Sequence, residues 1–249
     1  MNLPPHMWLK GIVPAEIVIM AGVHGNERAG VTALKNFLNS YFISQLKKSV
    51  LFILANPRAY EKEARFTETD MNREFRVFSD SYEGKRAREI SLMLENVKVL
   101  INLHQTQAPT QEPFVSSVKH LPSTAFLQKM QIPVSHFVII SQINSGNMSS
   151  DEYLLSLHPK SVALTFECGS IVEEQEKVVA LGEKIILEAL RYSGALDAPE
   201  KEQKKKIQFW TIEQNIPRTP QTQLITGLEN FSILKKGQVL AYEKGKEII

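Results

Sequence analysis

The sequence predicts an α/β fold, a mixed and largely parallel sheet flanked by helices, followed by a small C-terminal β domain. Three observations lead there. Short apolar runs rich in β-branched residues alternate with segments whose apolar residues recur at helical spacing. The 249 residues, 43% hydrophobic and 22% charged, suffice for one large domain, or a medium one with an appendage, around a real core. After a charged stretch near residue 200 the helical spacing disappears and short alternating runs replace it.

Residues 16–23 are a buried strand in this reading, stopping at His24-Gly25. Val31, Leu34, Leu38 and Tyr41 then recur at helical spacing, so a helix begins within residues 25–30. Residues 49–55 repeat the strand signal and break at Asn56-Pro57. Residues 58–80 are polar, charged and aperiodic, which predicts a long loop. A helix over residues 86–94 leads to a strand over 97–103, which delivers His104 at its end. Residues 114–118, 136–141 and 162–166 are further strands, and 172–192 form a long amphipathic helix. Residues 198–206, APEKEQKKK, read as a linker, and 207–249 as a small β unit. The expected division is therefore a main domain over 1–197, then linker and β domain over 198–249.

Net charge is +2, and no basic, aromatic-interleaved stripe is present, so neither nucleic acid nor an anionic membrane is an expected partner. The early apolar run is too short for a spanning helix or an export signal. A single cysteine allows no internal disulfide, so a reducing cytoplasm is the expected compartment.

His24-Gly25-Asn26-Glu27 places an imidazole and a carboxylate three residues apart between a strand and a helix. Catalytic zinc sites commonly use three histidine or carboxylate ligands and leave a fourth position to water. His104 is the best third ligand, because it too follows an apolar strand, and adjacent parallel strands would bring the two ends together. In the aperiodic loop, Arg65 and the pair Asn72-Arg73 are either solvated charges or carboxylate-binding groups, since a guanidinium grips a carboxylate in a two-pronged fork. Glu167 ends a strand and is either a capping or salt-bridge residue or a catalytic carboxylate. His6, His120, His136 and His158 have no comparable partners and read as structural.

These motifs, in order, resemble one family. HGNE at 24–27, ANPRA at 55–59, an arginine at 65 leading to DMNREF at 70–75, NLHQT at 102–106 and FECG at 166–169 are similar to the succinylglutamate desuccinylase/aspartoacylase family of the zinc carboxypeptidase clan. The resemblance implies a zinc carboxypeptidase-like fold with a late β domain, and one zinc ion held by His24, Glu27 and His104. It implies that Glu167 takes a proton from water, that Arg65 polarises the scissile carbonyl, and that Asn72 and Arg73 bind a substrate carboxylate, with Asp70 supporting their loop. The implied activity is hydrolysis of an amide in a small, carboxylate-bearing N-acyl amino acid. A metallocarboxypeptidase acting on peptides or cell-wall fragments, and an inactive binding protein of the same fold, are the rivals.

Three features depart from the family pattern. Asn102 stands where an acid often precedes the second histidine, so His104 lacks a carboxylate partner there. No arginine occurs between Tyr153 and Thr165. Tail residues that reach the substrate in aspartoacylases are expected to be missing. N-acetylaspartate is therefore not the expected substrate.

Overall fold

The computed structural model describes residues 5–11, 14–140, 147–172, 174–199, 204–214, 216, 219, 221–225 and 227–248. The expected strand end at Ser141, the middle of the linker, Pro220 and Ile249 lie outside the described residues.

The chain starts with β1 (Met7–Lys10), β2 (Ile17–Ala21), α1 (Arg28–Leu38), β3 (Val50–Leu54) and a short α2 (Pro57–Glu61). Then come α3 (Tyr82–Met93), β4 (Val99–Thr106), β5 (Phe114–Ser117), α4 (Leu121–Lys129), β6 (His136–Ile139), α5 (Ser150–Leu157), β7 (Val162–Ser170) and α6 (Gln175–Tyr192). The carboxyl end supplies β8 (Gln208–Thr211), β9 (Thr222–Leu224), β10 (Ala241–Glu243) and β11 (Lys246–Ile248).

Eight strands form one sheet in the order β1-β3-β2-β4-β7-β5-β6-β8, and β11-β10-β9 form a small antiparallel one. In the large sheet β2, β3, β4 and β7 pair in parallel, while β1 and β5 run antiparallel to their neighbours β3 and β7. Strand β8, from the segment assigned to the C-terminal unit, pairs in parallel with β6 at the sheet edge.

Strand alternation divides the core. Ile17, Ile19, Ile101, Leu103, Leu164 and Phe166 pack with residues of α1 and α6 on one face. Val18, Met20, Leu100 and Ala163 pack with α3 and α5 on the other. Burial of each of the larger of these side chains is worth roughly 1.5–3 kcal/mol. Because side chains alternate along a strand, Asn102 and His104 on β4 and Thr165 and Glu167 on β7 share the α3/α5 face.

The expected loop over 58–80 contains α2 and a short 3-10 turn, Met71–Arg73. Asn56 accepts a hydrogen bond from the Ala59 N–H and Asp70 one from the Asn72 N–H, so local capping builds turns where apolar periodicity is absent. Helix α3 starts earlier than its apolar spacing indicates, because Ser81 accepts from the Gly84 N–H and caps it. Among the described residues, no helix is long and apolar enough to cross a membrane.

Candidate active site

Strands β2 and β4 are adjacent and parallel, in register from Ile17–Val99 to Ala21–Leu103. Their carboxyl ends therefore bring the turn carrying His24 and Glu27 beside His104. The turn is held against α2 because Gly25 has no side chain: a Cβ there would lie 2.0 Å from the Ala59 carbonyl carbon. The Gly25 N–H donates to the Arg65 carbonyl at 3.2 Å, which ties the same turn to the segment bearing Arg65.

His104 and Glu167 are register partners across β4 and β7, and the pairing slips by one residue immediately beyond them. Gly169, with φ at +141°, occupies that irregularity, a backbone geometry that side-chain-bearing residues rarely adopt. The glycine of FECG thus lies where the strand changes register just past Glu167.

His24, Glu27 and His104 are all buried, and one potential ligand atom from each lies within 4.8 Å of the others. One oxygen of Glu27 lies 2.6 Å from Nδ1 of His24, and the other lies 2.8 Å from Nδ1 of His104. The outer ring nitrogens have unlike partners: Nε2 of His24 is 3.1 Å from Asp70 Oδ1, and Nε2 of His104 is 2.9 Å from the Asn102 side-chain nitrogen. Two imidazoles and a carboxylate converging in a buried space are a donor set that fits zinc.

Glu27 precedes α1 as its cap residue, yet its carboxylate does not cap the helix. Gln105 does so instead. Its Oε1 accepts from the Ala29 N–H at 2.8 Å, and its own backbone N–H donates to Glu27 Oε2 at 3.1 Å. Its side-chain nitrogen donates to the Ser170 carbonyl and to Gln175.

Electrostatics follow from this packing. Burial works against charge on His24, but its hydrogen bonds to the Asp70 and Glu27 carboxylates outweigh it and push its pKa up to about 9. Burial likewise opposes ionisation of Glu27, yet the two histidines hold it down at about 2. Asp70 stays well below the usual carboxylate range, because His24 and Arg65 outweigh its burial. Glu167 is raised, chiefly by burial, and its Oε2 is buried with no hydrogen-bond partner among the described residues. The neighbouring Cys168 thiol is buried and pushed up by burial, so it is a neutral core group.

A cavity of about 410 Å³ is lined by all seven residues singled out in the sequence: His24, Glu27, His104, Glu167, Arg65, Asn72 and Arg73. Arg65 spans Glu27 at 3.4 Å and Asp70 at 3.3 Å. Arg73 is exposed, and its guanidinium donates to the Asn72 carbonyl. Sequence reasoning missed Gln105 and the contact of Asp70 with His24. It also missed Glu83, whose buried carboxylate accepts from the backbone N–H groups of Thr67, Glu68 and Thr69. His120 and His136 are structural: the first accepts from the Ser123 N–H at the start of α4, and the second accepts from Trp210 Nε1.

The fold and site place the chain among α/β proteins whose polar centre gathers at the carboxyl ends of parallel strands. Residues 14–193 match the model of the succinylglutamate desuccinylase/aspartoacylase catalytic domain, and the chain belongs to that family. Succinylglutamate desuccinylase of Pseudomonas putida is 24% identical, over 91% of this chain and 72% of that protein. An N-acyl-aromatic-L-amino acid amidohydrolase (carboxylate-forming) of Xenopus laevis is 36% identical over 37% of this chain. The match spans only about a third of that relative's length, as with the probable aspartoacylase of Nostoc, which is 38% identical over 37% of this chain. In fold, the chain is similar to succinylglutamate desuccinylase from Chromobacterium violaceum, with a TM-score of 0.72 at 20% identity over 95% of this chain and 80% of that one.

Proposed function

We propose that the chain is a zinc-dependent amide hydrolase that removes the acyl group from a small, carboxylate-bearing N-acyl amino acid. The observation that carries the proposal is the convergence of His24, Glu27 and His104 beside a buried, unpartnered Glu167 oxygen. His24 and His104 would hold zinc through the Nδ1 atoms that face Glu27, with the Glu27 carboxylate as third ligand. Zinc, when bound, lowers the pKa of water towards roughly 7 and stabilises developing negative charge.

Glu167 is the proton carrier of the reaction. Its raised pKa suits a carboxylate that takes a proton from water and passes it to the leaving amine nitrogen. Arg65, fixed by Asp70, donates to the scissile carbonyl oxygen as charge builds there. Arg73 and Asn72 hold the substrate carboxylate, Asn72 through the N–H donors of its side-chain amide, which lines the same cavity. A single cysteine supports the cytoplasm as the place of work.

The test is metal content with activity. Purified protein should hold about one equivalent of zinc, and His24→Ala and His104→Ala should lose both metal and turnover. Glu167→Gln should retain zinc while kcat falls roughly a hundredfold to ten-thousandfold. Full zinc and turnover in both histidine variants would overturn the metal assignment, and undiminished turnover in Glu167→Gln the proton carrier.

A further inference from the structure

The cavity holds two more carboxylates that the proposed chemistry does not use. Asp151 and Glu152 line it from the first turn of α5, and they are 3% and 9% exposed. Among the described residues, neither has a lysine, arginine or histidine within ion-pair distance. The other charges in the cavity do not compensate them. Arg65 is engaged by Glu27 and Asp70, and the Arg73 guanidinium rests on a backbone carbonyl.

Part of this arrangement is helix chemistry. The Ser149 N–H and hydroxyl donate to Glu152 Oε2, which caps α5, and acidic residues suit a helix N-terminus. The helix N-terminus favours both acids, but the cap engages Glu152 Oε2 alone. Among the described residues Asp151 takes hydroxyl donors alone, from Ser117 and from the Ser149 hydroxyl that it shares with Glu152, and no cation pairs with it.

A second element supplies an independent observation. Thr165, on β7 and on the same face as Glu167, lines this cavity and is 8% exposed, yet its hydroxyl has no hydrogen-bond partner among the described residues. A buried hydroxyl left unpaired is costly unless a ligand meets it. Two carboxylates and a hydroxyl oxygen are acceptors, and a primary ammonium offers three donors with one positive charge. A guest carboxylate would instead face two like charges.

We propose that Asp151, Glu152 and Thr165 form a subsite for an ammonium group on the substrate, so that the preferred substrate is an N-acyl amino acid with a cationic side chain. This rests on the amide hydrolase reading above and names its substrate class. Arg73 takes the α-carboxylate, and the ammonium lies at the α5 wall of the same cavity.

The test compares Nα-acetyl-L-ornithine and Nα-acetyl-L-lysine with Nα-acetyl-L-norvaline and Nα-acetyl-L-glutamate, using the zinc-loaded full chain. At least one cationic substrate should exceed the norvaline derivative in kcat/KM by roughly tenfold to a hundredfold, as for one charge-assisted contact. The glutamate derivative should be the slowest. Thr165→Val, which keeps side-chain shape and removes the hydroxyl, and Asp151→Asn should each narrow that gap. If Asp151→Asn fails to melt cooperatively, Thr165→Val carries the test. Calorimetry with free ornithine, lysine and norvaline reads the subsite without turnover. Cation-selective binding with no hydrolysis of any substrate would sink the hydrolase reading and leave the subsite standing. Equal binding and turnover across the series, or preference for glutamate, would overturn the subsite.

Discussion

The side-chain nitrogen of Asn102 lies 2.9 Å from Nε2 of His104, on the ring edge opposite the one that meets Glu27. If Nδ1 binds a metal, Nε2 must carry the proton and needs an acceptor. Turning the amide by half a rotation supplies one, because the Asn102 Oδ1 is buried and has no partner among the described residues. The amide can then orient the ring, but it contributes no negative charge. Nε2 of His24, by contrast, meets the Asp70 carboxylate.

That asymmetry makes Asn102→Asp informative. A carboxylate on His104 Nε2–H raises the basicity of the ring, and such outer partners are worth roughly tenfold to a hundredfold in metal affinity. The variant should bind zinc about tenfold more tightly in a chelator competition titration. Unchanged or weaker affinity would remove outer-sphere charge from the account of this site.

Glu83 predicts an acid-sensitive scaffold. It is fully buried and also accepts from the Thr67 hydroxyl and the Asn56 amide, fixing the segment between Arg65 and Asp70. Burial opposes its ionisation, but the Thr67 backbone and hydroxyl donors outweigh it and lower the pKa from 4.5. A depressed carboxylate pKa gives stability that is present above the unfolded value and is lost as pH falls through the folded one. Glu83→Gln should cost about 1.5–3 kcal/mol at neutral pH. The gap from wild type should shrink in urea melts taken below pH 4.5. A pH-independent gap would mean that charge on Glu83 is not what holds the loop.

The sequence made much of this legible, for identifiable reasons. Apolar periodicity, which survives in one dimension, put His24, His104 and Glu167 at strand ends, and the parallel order of β2 and β4 brings the first two together, whereas the roles of these residues and of Glu27 came from the family resemblance. The loop over 58–80 misled because α2 and the turn at Met71–Arg73 are stabilised by Asn56 and Asp70 caps, which leave no apolar period. Gln105 and Glu83 were invisible for another reason. Each acts on backbone groups distant in sequence, Ala29 and residues 67–69, and pairing across the fold has no signature in one chain. The asparagine at 102 was legible as a departure, but its contact with Ser150 was not.

Gln105 replaces the cap that Glu27 gives up, so Gln105→Ala should act on helix and metal together. Loss of an N-cap acceptor costs about 1 kcal/mol, and loss of its tether at the end of β4 should loosen the backbone N–H that holds Glu27 Oε2. Thermal stability should drop modestly, and zinc affinity should fall by about tenfold. Gln105→Glu, which keeps an acceptor for Ala29, should restore more of the melting temperature than of the zinc affinity, because its added charge lies beside Glu27. Parallel recovery of both quantities would show that Gln105 serves the helix alone.

Arg73 gives the prediction closest to substrate choice. Its guanidinium lines the cavity without an ion-pair partner among the described residues and is steadied only by the Asn72 carbonyl. A guanidinium matches a carboxylate with two parallel donors, whereas an ammonium keeps the charge and loses the fork. Arg73→Lys should leave zinc content intact and lower kcat/KM on a carboxylate-bearing N-acyl amino acid by about tenfold to a hundredfold, the value of one hydrogen bond to a charged group. Wild-type protein should separate that substrate from its carboxamide analogue by a similar factor, and Arg73→Ala should narrow the separation. Equal turnover of acid and amide by the wild-type protein would show that Arg73 reads no carboxylate, whatever the fate of the metal site.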